Sequence, residues 1–272
     1  MTVASVRARL AERDAAPMVV VHRGSWSAAP ENSRAAIRAA RGFDMVEIDI
    51  RLSADGHPVL LHDPDLARTT GVAARCSDLT LAELTSLTLR AGAGGPNAPM
   101  TAESLPDLDA ALDTAGPDLL VDLDVKVAAE VESVAEIVSR RADRGRLMLK
   151  LDVARPEDVD GLLGLERRHG VTVIAKTRLA GQGDLALVSA LADCGVAAAE
   201  IWFSDLALAG QAARIGLPLT TYTLRDVHCA GLSDDLAATD PDAAWGPLLR
   251  AGFRAIMTDR AAELRRFLAC RG

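Results

Sequence analysis

Short runs of Val, Ile, Leu and Met recur along the chain, separated by longer stretches in which Ala and Leu repeat among Arg, Glu and Asp at helical spacing. The apolar runs predict strands at residues 18–21, 45–50, 58–61, 119–125, 147–151, 171–175, 198–202, 217–223 and 255–257. Amphipathic segments at 33–41, 130–141, 156–169 and 184–193 lie between them. Repeated strand–helix units predict a parallel sheet with helices outside it. Nine strands are one more than an eight-stranded α/β barrel needs. The linker Ser53-Ala54-Asp55-Gly56 has no room for a helix and reads as a turn, so one strand belongs to a hairpin. The longest connection runs from Asp63 to Pro117 and contains a Gly/Pro-rich patch at 91–99 with weak helical signals at 81–87 and 105–113. Residues 64–100 are read as a small insertion after the third strand, capping one end of the barrel. The expectation is one domain over 1–272, a (β/α)8 TIM barrel, for which about 250 residues is typical. A short surface helix ended by Pro17 is expected at the N-terminus.

The polar positions within the strands are the informative ones. Strand side chains alternate between faces. In Val46-Glu47-Ile48-Asp49-Ile50 the apolar residues share one face and the two carboxylates the other. In Val121-Asp122-Leu123-Asp124-Val125-Lys126 the same division places Asp122, Asp124 and Lys126 together. Helices cover the apolar face, so the acids point into the barrel. Several carboxylates there repel each other and lose hydration, at several kcal/mol per unpaired ion. A divalent cation relieves both, and oxygen-only ligands suit Mg²⁺ or Ca²⁺ better than Zn²⁺. Pairing with Lys126, Lys150 or Lys176 is the structural alternative. His22 and His62 each follow an apolar strand, and polar residues at strand C-termini are where catalysis sits in such barrels.

Composition narrows the partners. The chain has 272 residues, is 49% hydrophobic and only 3% aromatic, so aliphatic side chains must fill the core. A net charge of −8 argues against nucleic-acid binding, and an anionic substrate needs local cations. Cys76, Cys194, Cys229 and Cys270 are too dispersed for a zinc site or a disulfide framework. Free thiols, no signal-like apolar stretch and no run of roughly 20 apolar residues point to a cytoplasmic protein without membrane insertion.

Val21-His22-Arg23-Gly24, Pro30-Glu31-Asn32-Ser33, Glu47-Ile48-Asp49-Ile50, Ala54-Asp55-Gly56, Val59-Leu60-Leu61-His62-Asp63 and Arg68-Thr69-Thr70-Gly71, in this order and spacing, resemble the glycerophosphodiester phosphodiesterase family. Looser likeness continues through Leu123-Asp124-Val125-Lys126 to the last strands. The resemblance implies a (β/α)8 barrel holding one divalent metal, with His22 and His62 as the catalytic pair. It implies Glu47, Asp49 and Asp124 as metal ligands, and Arg23, Lys126 and Tyr222 as substrate or phosphate contacts. Asp124 stands where the family usually has Glu, which withdraws the carboxylate by one methylene, roughly 1.5 Å. Tyr222 stands where Trp is frequent. Asn32 is either the cap of the following helix or a contact of the site.

The implied reaction is hydrolysis of glycerophosphodiesters, small-molecule substrates, to glycerol 3-phosphate and an alcohol. Imidazole suits proton transfer in both directions near neutral pH. Phospholipase D-like cleavage of lysophospholipid, sphingolipid or sugar diesters is a second reading. A non-catalytic barrel binding a phosphorylated ligand is a third. The sequence leaves open the oligomeric state and which histidine is the acid.

Overall fold

The computed structural model describes residues 5–12 and 14–271. Among these, eleven strands follow in order: β1 (Met18–Val21), β2 (Met45–Leu52), β3 (Pro58–Leu60), β4 (Thr88–Arg90), β5 (Met100–Ser104), β6 (Leu120–Val125), β7 (Leu147–Asp152), β8 (Thr172–Leu179), β9 (Ala199–Phe203), β10 (Leu219–Tyr222) and β11 (Ala255–Thr258). All nine strands expected from the apolar runs are present. The supernumerary strand is β3, which turns back antiparallel on β2, with Ile50 opposite Leu60 and Leu52 opposite Pro58. The Asp55-Gly56 turn makes this hairpin, and Gly56 takes a positive φ of 79° there.

The chain divides into two compact units, one of residues 21–138 and one combining 1–20 with 139–272. In the first, β2 lies parallel to β6, placing Glu47 opposite Asp122 and Asp49 opposite Asp124. Val46, Ile48, Ile50, Val121 and Leu123 are buried on the other face of these strands. The first six residues of β2 are all buried, as expected for a strand covered on both sides. Ser33 caps the helix Arg34–Ala39, its Oγ accepting from the Ala36 N–H at 3.1 Å.

The segment read as an insertion, residues 64–100, is better organised than its sequence suggested. The strands β4 and β5 pair antiparallel around the Gly/Pro-rich patch. Thr80 and Glu83 form a reciprocal capping box on the helix Leu81–Thr85. Leu66, Cys76, Leu84 and Leu89 form one core with Val59 and Leu61 of the hairpin side and with Leu105. The strands β4 and β5 escaped the sequence reading because they are short and β5 is largely exposed.

In the second unit, β7, β8, β9, β10 and β11 are successive parallel neighbours. Helices such as Val159–His169, stopped by left-handed Gly170, connect them. The expected N-terminal surface helix is present, with Arg7, Ala8 and Ala11 exposed, but Pro17 does not end it. It spans Val6–Ala11, ends well before Pro17, and buries Val6 and Leu10 completely. No helix among the described residues is long and apolar enough to cross a membrane.

Candidate active site

The site lies within residues 21–138 and starts from the β2–β6 register. With Asp49 opposite Asp124, and Glu47 two residues earlier on the same face, three carboxylates converge. One oxygen from each of Glu47, Asp49 and Asp124 lies within 4.8 Å of the others. Glu47 and Asp49 are buried and Asp124 is half-buried. Asp122 is buried on the same strand but is not a member of this group.

Two cations brace the acids. Lys126 Nζ lies 2.6 Å from Asp49 Oδ1 and 2.7 Å from Asp124 Oδ2. Arg23 Nε lies 3.0 Å from Asp49 Oδ2, and the Arg23 backbone N–H donates to Glu47 Oε2 at 3.1 Å. Burial pushes the Asp49 carboxyl up, but Lys126, Arg23 and His62 outweigh it and hold it below the usual carboxylate value. Burial pushes the Lys126 ammonium down, and Asp49, Asp124 and Glu47 more than reverse that. Arg23 follows the same logic, its charge held by Asp49, Glu31 and Glu47 against desolvation.

The backbone bends to achieve this. Arg23 and Asn32 are non-glycine residues with positive φ, 52° and 54°. Such conformations cost free energy and persist where the surroundings impose them. Asn32 answers the question of its role. Ser33 takes the cap, while Asn32 Nδ2 donates to Asp49 Oδ2 at 2.7 Å and its Oδ1 accepts from the Asp49 N–H at 3.1 Å.

The donor set fits a hard divalent cation. It consists solely of carboxylate oxygens, the ligand class of Mg²⁺ and Ca²⁺. Asp49 Oδ1 is buried and, although in ion-pair contact with Lys126, has no partner in hydrogen-bond geometry. A buried carboxylate oxygen in that condition is suited to a ligand.

His62 is delivered by the hairpin. The Leu61 N–H donates to the Asp49 carbonyl at 3.1 Å, and Arg51 donates twice to the His62 carbonyl, at 3.0 and 2.7 Å. His62 Nδ1 lies 2.8 Å from Asp63 Oδ1. A carboxylate can only accept, so Nδ1 carries the proton and Nε2 is the nitrogen available for exchange. Burial pushes the imidazole below its ordinary value, partly offset by Asp49 and the Asp63 bond. Burial also raises Asp63, but hydrogen bonds from Arg68 and His62 bring it down to about 2. His22, half-buried, follows β1 directly.

Of the residues singled out from the sequence, Glu47, Asp49, Asp124, Arg23 and Lys126 meet in one cluster, and Asp49 and His62 interact electrostatically. Tyr222 belongs to the other unit, half-buried at the end of β10, its phenol pushed up by burial, Cys229 and Glu200. Lys150 pairs with buried Glu200 at 2.8 Å, which is the structural alternative weighed for it. Lys176 sits 3.8 Å from Asp152 at the surface. Trp202 packs under the Arg178 guanidinium, 4.1 Å from its centroid. Sequence reading missed Asp63, Arg68 and Glu31 as parts of the site. The signal was their place inside the quoted motifs; what joins them, the Arg68–Glu31 bond, spans 37 positions.

The chain is similar to known proteins over nearly its whole length. A curated Mycobacterium tuberculosis protein, probable glycerophosphodiester phosphodiesterase 2, is 28% identical over 263 residues, covering 94% of this chain and 92% of its own length. Mouse glycerophosphodiester phosphodiesterase 1 is 38% identical over 119 residues, 43% of this chain and 36% of the mouse protein. A crystal structure of a glycerophosphoryl diester phosphodiesterase from Parabacteroides distasonis superposes with a TM-score of 0.74 at 19% identity, covering 100% of this chain and 94% of that one. An Oleispira antarctica phosphodiesterase, solved in complex with the product sn-glycerol-3-phosphate, gives 0.66 at 22% identity, covering 93% and 97%. These likenesses show the fold to be the (β/α)8 barrel expected from the sequence. The model of the glycerophosphoryl diester phosphodiesterase family matches residues 22–263, and the chain belongs to that family.

Proposed function

We propose that the chain hydrolyses glycerophosphodiesters to glycerol 3-phosphate and an alcohol through the Glu47/Asp49/Asp124 cluster and the His22/His62 pair. That it is a phosphodiesterase follows from its family; the residue roles and the metal are our reading. The observation that carries them is the convergence of three carboxylates beside His62 in one compact unit.

A phosphodiester resists attack because its anionic oxygens repel the incoming nucleophile. Glu47, Asp49 and Asp124 would hold Mg²⁺ or Ca²⁺, which when bound draws charge from a non-bridging phosphoryl oxygen. Arg23 and Lys126 add fixed positive charge for the phosphoryl oxygens, already oriented by their carboxylate partners. One imidazole takes a proton from the attacking oxygen, a new P–O bond forms, and the P–O bond to the alcohol breaks. The second imidazole delivers a proton to the departing alkoxide. Where water attacks, this step gives glycerol 3-phosphate directly; where a neighbouring substrate hydroxyl attacks, it gives a cyclic phosphate, which water then opens to glycerol 3-phosphate with the two imidazoles exchanging roles. The four cysteines are free thiols, which supports a cytoplasmic placement. Tyr222 is assigned to the wall of the substrate site by resemblance.

The test is release of glycerol 3-phosphate from a panel containing glycerophosphocholine, glycerophosphoethanolamine and lysophosphatidylcholine, with Mg²⁺ or Ca²⁺. His22→Ala and His62→Ala are expected to lose at least about 100-fold in kcat. A wild-type protein no faster than His22→Ala on every diester rejects the assignment. Preference for the lysophospholipid transfers the site to lipid substrates.

A further inference from the structure

Beyond the acids and imidazoles, the densest polar network of this unit runs from His62 into the insertion, and Arg68 stands at its centre. Arg68 Nε donates to Asp63 Oδ2 at 2.6 Å and Nη2 to Asp63 Oδ1 at 3.0 Å. Asp63 Oδ1 also accepts from His62 Nδ1. In the other direction, Arg68 Nη2 donates to Glu31 Oε1 at 2.7 Å, and Glu31 is the partner of the Arg23 guanidinium at 3.1 Å. Glu31 is buried, and Arg68 and Asp63 are mostly so, which strengthens each of these bonds.

The third side of Arg68 belongs to the 92–95 loop. Its Nη1 donates to the Ala93 carbonyl, and its own carbonyl accepts from the Gly95 N–H at 2.7 Å. The Glu31 N–H donates to the Gly92 carbonyl at 3.0 Å. Gly94 sits so close that a Cβ there would lie 2.4 Å from the Arg68 carbonyl oxygen. The 92–95 loop is therefore moulded around Arg68, not merely adjacent to it.

We propose that Arg68 is a positioning residue through which the insertion sets the orientation of both the His62–Asp63 pair and the Arg23 guanidinium. The proposal rests on His62 acting in proton transfer, as in the reading above. The physical reason is that a two-atom contact from Nε and Nη2 fixes the Asp63 carboxylate plane. That plane fixes the imidazole, much as a carboxylate fixes the tautomer and orientation of a catalytic histidine elsewhere. Lys can supply the charge of Arg68 but not its planar fork, so the two residues are not equivalent here.

The experiment compares wild type, Asp63→Asn, Arg68→Ala, Arg68→Lys, Gly94→Ala and the Asp63→Asn/Arg68→Ala double variant on the best diester with Mg²⁺. Steady-state kinetics are run from pH 5 to 9, with circular dichroism to confirm folding. Asp63→Asn and Arg68→Ala should lower kcat about 10- to 100-fold, with KM changed far less. Arg68→Lys should recover part of the loss. Gly94→Ala, which touches neither His62 nor Asp63, should lower kcat about tenfold by shifting Arg68. Removing the Asp63 bond takes support from the protonated imidazole, so the limb of the kcat/KM profile that His62 governs moves to lower pH. The double variant should be no worse than the more damaged single one, because both act through one link.

Unchanged kcat and pH limb in folded Asp63→Asn and Arg68→Ala would overturn the proposal, as would fully multiplicative effects. Should Arg68→Ala fail to fold, Asp63→Asn and Gly94→Ala decide. His62→Ala as active as wild type rejects the functional reading itself. An inactive His62→Ala beside a normal Asp63→Asn rejects only the positioning role.

Discussion

At the scale of single residues, Asn32 shows how a neutral side chain shapes an ionic site. It is buried at positive φ and clamps Asp49 through two hydrogen bonds, one to the carboxylate and one from the backbone N–H. Asp49 then presents its oxygens in one orientation to Lys126, Arg23 and any bound cation. Partners that orient metal ligands typically contribute about 10- to 100-fold to affinity. Asn32→Ala is accordingly expected to weaken Mg²⁺ or Ca²⁺ binding by about that factor in calorimetry, and undiminished affinity would refute the clamp. The convergence of Glu47, Asp49 and Asp124 was legible from strand alternation, although alternation alone did not separate Asp122 from them. Asn32 was legible only as a choice between helix cap and site contact, because its role depends on a turn with positive φ that no periodicity announces. Asp63 and Arg68 were hidden for a related reason. Arg68 links Asp63 to Glu31 and to the insertion backbone, partners separated from Arg68 by 37 and 25 positions.

Among the elements, the β2–β3 hairpin and the β2–β6 ladder do most of the positioning. The excess strand and the short Ser53–Gly56 turn foretold the hairpin, and the alternation of acids on both strands foretold the shared face. What the sequence concealed was the β4–β5 pair, whose five-residue strand alternates between exposed and half-exposed positions with no buried face to mark it. The connection after β1 is equally specific. Gly24, at φ 78°, faces the helix Arg34–Ala39 so closely that a Cβ would lie 2.7 Å from the Ala36 carbonyl carbon and 2.8 Å from its Cβ. Gly56 has nearly the same φ, 79°, but open space around it. Gly56→Ala is therefore expected to cost about 1 kcal/mol for the conformation alone. Gly24→Ala carries that cost plus overpacking, for a total of about 2–4 kcal/mol. Urea unfolding of the two variants separates the contributions; equal losses would show that the helix yields freely. Activity should fall in Gly24→Ala as well, since Arg23 and His22 precede the strained link.

For the molecule as a whole, the net charge of −8 extends into the site, where the cations Arg23, Lys126 and Arg68 are tied to carboxylates. Those ties make stability depend on acid. Asp63 has a folded value of about 2, below its ordinary carboxylate value, because the Arg68 and His62 bonds overcome desolvation. Asp143, bonded to Arg141 and Arg146 against the same burial penalty, is also lowered. A depressed carboxylate binds its proton more weakly in the folded state, so acid favours the unfolded chain. Its contribution is complete above the unfolded value near 3.9. For Asp63 it disappears as pH falls through that value towards about 2. Asp234 runs the other way: burial outweighs its bonds from Thr258, Asp259 and Thr223 and raises it, so it favours the fold less as pH rises. Asp63→Asn isolates the first of these effects. At pH 7 its melting temperature should lie below that of the wild type, because the Arg68 and His62 bonds have lost their charged acceptor. Between about pH 5 and pH 2 the two melting curves should converge, since the wild-type carboxylate becomes neutral too. A gap that stays constant over this range would mean that Asp63 stabilises the fold by shape alone, and not through the charge it shares with Arg68.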